Sequence, residues 1–195
     1  MKKRLTRGNK KVKAWMFSLP PIKSCLSCSE CATSCYAVKS YRQYPNVKVL
    51  WDSNFALLKH DMFKLYDDLD KQLNNISKRS KLKIVRIHQS GDFYNQEYVN
   101  MWHDLTKKYS NITFYGYTKV SKILDISKLD SLPNVNIIDS YVNGKLNFGD
   151  LEYVTKISEE EGCVICPATL TKDTYKCGGN CSHCFTNKNV VFKIH

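Results

Sequence analysis

Between residues 46 and 79 the apolar side chains Val47, Leu50, Trp51, Phe55, Leu58, Met62, Leu65, Leu69, Leu73 and Ile76 recur mostly at steps of three and four. That spacing lines one face of a helix, and Asp61 inside the run is a candidate cap for a second helix. Short stretches rich in β-branched and aromatic residues predict strands at 11–18, 82–88, 112–118 and 135–141. Between them, 95–109 predicts a helix with Tyr98, Met101, Trp102 and Leu105 on one face. Residues 121–129 predict a short helix capped by Ser121, and 150–160 one that ends at Gly162. A short extended piece at 163–166 and a closing strand at 190–194 complete the pattern.

Strands separated by helices indicate βαβ units and a parallel sheet. The fold class expected is therefore α/β, as a partial (β/α) barrel or an open parallel sheet of about five to six strands, since 195 residues fall short of a full barrel. One domain should span 1–195, with a basic N-terminal arm (1–13) and a metal-binding, cysteine-rich C-terminal segment (163–195). In such folds ligands sit at the carboxyl ends of the strands.

A hydrophobic content of 43% supports a packed core without disulfide staples, and no apolar run approaches the length of a membrane span. Without a secretory signal, the expected setting is cytoplasmic, where clustered cysteines read as metal ligands. The net charge of +12 favours a polyanionic partner, nucleic acid or a phosphorylated substrate, and no membrane. Seven basic residues among the first 13 could pair with phosphates. Tyr36, Tyr41, Tyr44 and Arg42 form an aromatic–basic patch able to stack bases or simply to pack.

The nine cysteines fall in two groups. Cys25, Cys28, Cys31 and Cys35 are separated by two, two and three residues, the spacing of a bacterial ferredoxin run, with Tyr36 where proline is usual. Four cysteines in eleven residues point to metal. An iron–sulfur cluster (4Fe-4S, one or two) is the cofactor expected, with zinc as the alternative metal. The second group is Cys163, Cys166, Cys177, Cys181 and Cys184, with Gly178 and Gly179 giving its loop a tight backbone. Cys177, Cys181 and Cys184 have the spacing of radical S-adenosylmethionine enzymes. That motif normally follows a first strand, however, so the spacing is read here as cluster-loop geometry. His183 sits between better ligands and is expected to be exposed. Each group can hold its own metal, or both can share clusters.

The run RIHQSGDFYN (86–95) takes a hydrophobic strand into a polar turn. His88, Ser90 and Asp92 are the candidate catalytic groups: Asp92 as an acceptor or base, and His88 as a proton carrier. A core histidine and a helix cap are their ordinary alternatives. Gly91, Tyr117 and Lys119, at this turn and the next strand's end, are candidate cofactor contacts. Asp139 and Ser140 follow the strand after. On a parallel sheet these tips, the first cysteine loop and Cys163/Cys166 would share one rim, as an active site requires.

A cysteine loop ending Cys35-Tyr36-Ala37, then YRQYPNV, RIHQSGDFY, FYGYT and a C-terminal CPA with a cysteine knot resembles the phage gene product eighty-eight family, proteins of phages and mobile elements. The resemblance runs from about Trp15 to His195. It implies ligand roles for Cys25, Cys31 and Cys35 and for Cys166, Cys177, Cys181 and Cys184, leaving Cys28 and Cys163 spare. It also implies a distant similarity to radical S-adenosylmethionine barrels, with the Ser90-Gly91-Asp92 turn at their cofactor-binding position and S-adenosylmethionine as a possible cofactor. No activity comes with it. The functional expectation is an iron–sulfur, redox or radical-type enzyme acting on nucleic acid or a phosphorylated substrate. The alternative is a non-catalytic, metal-braced nucleic-acid-binding module.

Overall fold

The computed structural model describes residues 3–27, 31–33, 35–171, 174–186 and 189–193. In chain order the elements are β1 (Thr6–Arg7), β2 (Trp15–Met16), α1 (Tyr36–Gln43), α2 (Pro45–His60), α3 (Met62–Arg79), β3 (Ile84–Ile87), α4 (Gln96–Lys108), β4 (Thr113–Thr118), α5 (Ser127–Asp130) and β5 (Val135–Asp139). They continue as β6 (Tyr141–Val142), β7 (Lys145–Leu146), β8 (Phe148–Gly149), α6 (Leu151–Glu161), β9 (Val164–Ile165), α7 (Pro167–Leu170), α8 (His183–Thr186) and β10 (Val190–Lys193).

Caps set the main helix boundaries. Asp61 separates α2 from α3 by accepting the Lys64 N–H at 3.0 Å, and Asn95 starts α4 by accepting that of Tyr98 at 2.8 Å. Asp150 opens α6 in the same way, and Gly162 closes it in the left-handed region at φ 64°. The helix expected at 121–129 shrinks to α5. The Ser121 hydroxyl donates to the Asp139 carboxylate at the end of β5 and is lost as a cap.

The strands form one five-stranded sheet in the order β1-β2-β3-β4-β5, antiparallel between β1 and β2 and parallel elsewhere. Of the two expected architectures, the open sheet describes it, and no barrel is formed among the described residues. Because strand order follows chain order, right-handed crossovers put the helices on the same face. Val85, Ile87, Phe114 and Ile137 meet Leu65, Leu69, Leu73, Tyr98, Trp102 and Leu105 there in the principal core. The opposite face carries Ile84, Tyr115, Tyr117 and Ile138 and is covered by the C-terminal segment through Cys166, Cys184, Phe185, Val190 and Phe192. A small parallel sheet, β8-β10-β9, ties that segment down, and β6 pairs with β7 in a hairpin.

The N-terminal arm is not a free basic tail. Leu5 lies in the core, and Arg4 is buried with its guanidinium on Asp68 at 3.0 Å and on Ser53 at 2.9 Å. Asp68 also takes Lys64. An arginine can be buried only when its charge is met, and a carboxylate on α3 meets this one.

Candidate functional site

The turn after β3 is built from strain and burial. His88 takes φ 65°, uncommon for a non-glycine residue, and Gly91 takes φ 83°. A Cβ at Gly91 would lie 2.5 Å from Ser24 Oγ and 2.7 Å from Leu19 Cβ, so only glycine lets the segment leading to the first cysteines lie against this turn. The Leu19 N–H donates to the Ser90 carbonyl at 2.9 Å, and the Gln89 N–H to that of Phe17 at 3.0 Å.

Asp92 is a buried clamp between two strand tips. Its carboxylate accepts from Thr118 Oγ1 at 2.8 Å, the Lys119 N–H at 2.9 Å and the Phe93 N–H at 2.8 Å. Burial outweighs these bonds and raises its pKa to about 6. His88 is buried among the rings of Phe17, Phe93 and Tyr98, with Nε2 bonded to the Tyr98 hydroxyl at 2.8 Å. Burial, and then the charge of Arg86, push its pKa down to about 3, so it is neutral at physiological pH. Among the described residues, three of the four buried polar side-chain atoms without a partner, Arg86 Nε, His88 Nδ1 and Ser90 Oγ, fall within five residues of chain. Such atoms are uncommon in folded proteins, and here they gather at one strand end.

The candidate ligands form two separate sets. Cys25, Cys31 and Cys35 lie near one another after β2, and the Cys25 thiol also feels the charge of Asp92, so this set sits at the rim with the β3 turn. Burial pushes Cys25 up to about 12. Cys28 lies outside the described residues. Cys166, Cys177, Cys181 and Cys184 form the second set, mutually close enough for each thiol to sense its neighbours. Burial likewise pushes Cys184 up to about 12.

The second set does not join the rim. It lies on the sheet face opposite the helices, because the hydrophobic C-terminal segment covers the apolar side chains that the crossovers leave bare. The Cys177 N–H donates to the Lys11 carbonyl at 2.9 Å, and the Lys13 N–H to that of Cys177 at 2.8 Å. Asn136 Nδ2 on β5 donates to the Cys184 carbonyl at 2.9 Å. Cys163 packs apart with Val154, Ile157 and Val191, and His183 is exposed.

Of the remaining candidates, Lys119 reaches Asp92 through its backbone, while its ammonium lies over the Phe148 ring at 4.7 Å. Tyr117 is not at the rim: strand alternation turns it to the cysteine face, where its hydroxyl meets Cys184. Asp139 takes Ser121, and Ser140 is buried beside it. Tyr41 stacks on Trp51 and donates to Asp52 at 2.5 Å, so it packs, whereas Tyr36 and Tyr44 are exposed.

Arg86 has no place among the expected site residues, yet it stands between the two sets. It donates to the Tyr36 hydroxyl at 3.3 Å and lies over the Tyr117 ring at 5.0 Å. A charged residue at a core-spaced position of a hydrophobic strand was the signal available for it.

All described cysteines are free thiols. Among the described residues, no three Cys, His, Asp or Glu side chains stand in a geometry that would hold a metal ion. The donor chemistry nevertheless suits a thiophilic metal: two sets of neighbouring sulfurs, free of competing disulfides.

An open, mostly parallel α/β sheet with one thiol-lined face defines the class. The chain belongs to the Gene product 88 family, whose profile matches residues 1–189. It is similar to the Gene 88 protein of Mycobacterium phage D29, 27% identical over 112 residues, which is 55% of this chain and 47% of that protein. The Gene 88 protein of Mycobacterium phage L5 is 28% identical over 110 residues, 52% of this chain and 46% of that protein. The chain thus spans about half the length of these curated relatives. No solved structure matches it significantly. No described helix is long and apolar enough to cross a membrane.

Proposed function

We propose that this is a metal–thiolate protein, with an iron–sulfur centre on Cys25, Cys31 and Cys35 at the rim and a second metal on Cys166, Cys177, Cys181 and Cys184. The observation that supports it is the sorting of the described cysteines: seven fall into two sets of neighbours, while Cys163 packs elsewhere as an ordinary apolar residue. Free cysteines used only for packing have no reason to gather into two such sets. Bound at the rim, an iron–sulfur centre would supply redox chemistry, and three protein ligands would leave one iron open to a cofactor such as S-adenosylmethionine.

The substrate class follows from charge. A cleft of about 720 Å³ beside the first loop is lined by Cys35, Lys39, Arg42 and Gln43 among others. Its two cations and the net charge of +12 suit a phosphorylated substrate or nucleic acid. Asp92 and Ser90 line the same rim, with Asp92 able to hold a proton near neutral pH. His88, neutral and enclosed by rings, positions the turn.

Anaerobic purification with iron, sulfide and zinc analysis tests the reading. Bound metal is expected, with iron and sulfide lost in Cys25→Ser, zinc or iron reduced in Cys184→Ser, and neither changed in Cys163→Ser. Binding of S-adenosylmethionine by the loaded protein, abolished by Cys25→Ser, supports the radical version. A folded protein carrying no metal contradicts the reading, and a zinc-only protein contradicts its iron–sulfur part.

A further inference from the structure

We infer that Arg86 is the fixed counter-charge of the C-terminal cysteine site, positioned to neutralise a metal–thiolate centre built from Cys166, Cys177, Cys181 and Cys184. The inference rests on the metal reading above and concerns a residue of this chain that the reading does not use.

Strand alternation puts Arg86 on the same face as Ile84, within a layer of Tyr115, Tyr117, Ile138 and Cys184. Its Nε is sequestered from solvent and has no hydrogen-bond partner. The residue is half-buried, so this inner part of the guanidinium is stabilised only if an anion approaches it. Arg4, which is fully buried, shows how this fold meets such a charge: a buried carboxylate grips it at two nitrogens, and a serine hydroxyl takes a third. Arg86 has no counterpart to Asp68, and among the described residues no carboxylate pairs with it. What surrounds it is the Tyr36 hydroxyl, the rings of Tyr115 and Tyr117, and the thiols of Cys177 and Cys184.

Neutral thiols and ring faces only partly balance a half-buried cation, whereas metal-bound thiolates carry the opposite charge. Four thiolates around a divalent ion leave roughly two negative charges on the site, and an all-cysteine iron–sulfur cluster is anionic too. The missing partner of Arg86 and the excess charge of the loaded site therefore answer each other. Tyr117 completes the arrangement, with its ring under the guanidinium and its hydroxyl at Cys184. Through Tyr36, which follows Cys35 directly, the same guanidinium also touches the rim set.

The test uses the full chain as wild type, R86K, R86M and R86Q, loaded with zinc alone and challenged with a chelator, with thermal midpoints taken with and without metal. R86M and R86Q should lose metal affinity by about 10- to 100-fold, the usual effect of removing an outer-shell partner. R86K, which keeps the charge, should stay within about threefold of wild type. Metal-free R86M should melt at or above the wild-type temperature, because a partly buried charge with no anionic partner has been removed; an ordinary packing role predicts a lower midpoint. Wild-type affinity in R86M and R86Q overturns the inference, as does failure of both to fold without metal. Wild-type protein that binds no zinc at these cysteines overturns the metal reading itself, and this inference with it.

Discussion

Asp92 and His88 stand four residues apart, and burial shifts both toward their neutral forms, which gives their contributions to stability opposite slopes with pH. Asp92 has its pKa raised from 3.8 to about 6, so the folded protein holds more protons than the unfolded chain across that range. Its contribution therefore weakens as pH rises from about 4 to 6 and stays unfavourable above it. His88 is lowered from 6.5 to about 3, so the unfolded chain binds more protons, and stability is lost as pH falls through that window. Across the shared range the two slopes oppose. Asp92→Asn removes one of them. From about pH 3.5 to 7 the metal-free variant should gain about 3 kcal/mol relative to wild type, two pKa units' worth, when urea unfolding is followed at each pH. Parallel pH profiles for the two proteins would contradict this account of Asp92. The sequence offered His88 both as a proton carrier and as a core histidine, and only the fold shows the Phe17, Phe93 and Tyr98 rings that keep it neutral.

Elements with their own periodicity were legible in advance, and those created by long-range contacts were not. The long α2–α3 run, β3, α4, β4 and α6 follow from apolar spacing and, for α3, from the cap Asp61. Two-residue β1 has no pattern to read; it exists because β2 offers it an edge. The helix at α1 was masked by its reading as an exposed aromatic–basic patch. Placement of Cys163 and Cys166 on the rim was misjudged for a topological reason: strand-end rules say where ligands bind, not which segment covers a face the helices leave bare. The joint between elements that matters most is Gly91, where the β3 turn lies against Leu19 and Ser24. Gly91→Ala combines a positive φ with overpacking against these neighbours and should cost roughly 2–4 kcal/mol, read as a lower urea midpoint. A loss under about 0.5 kcal/mol would show that the contact is loose.

At the scale of the whole molecule, a singly wound sheet has a helical face, a cysteine face and a rim, and each takes a different task. Helices supply the core that holds the strands in register. The C-terminal segment closes the other face with four thiols, of which Cys177 and Cys184 neighbour Arg86, and the rim gathers three more thiols with Asp92 beside a cationic cleft. The basic N-terminus belongs partly to this architecture, since Arg4 and Leu5 are core residues, while Lys3, Arg7, Lys10, Lys11 and Lys13 stay exposed. The central claim is that sulfur from these two sets binds metal. X-ray absorption at the edge of whichever metal the purified protein carries tests it most directly. The account predicts a first shell made of sulfur at about 2.3 Å, diminished in Cys166→Ser and Cys184→Ser. A shell of nitrogen and oxygen, or no bound metal in folded protein, would contradict it.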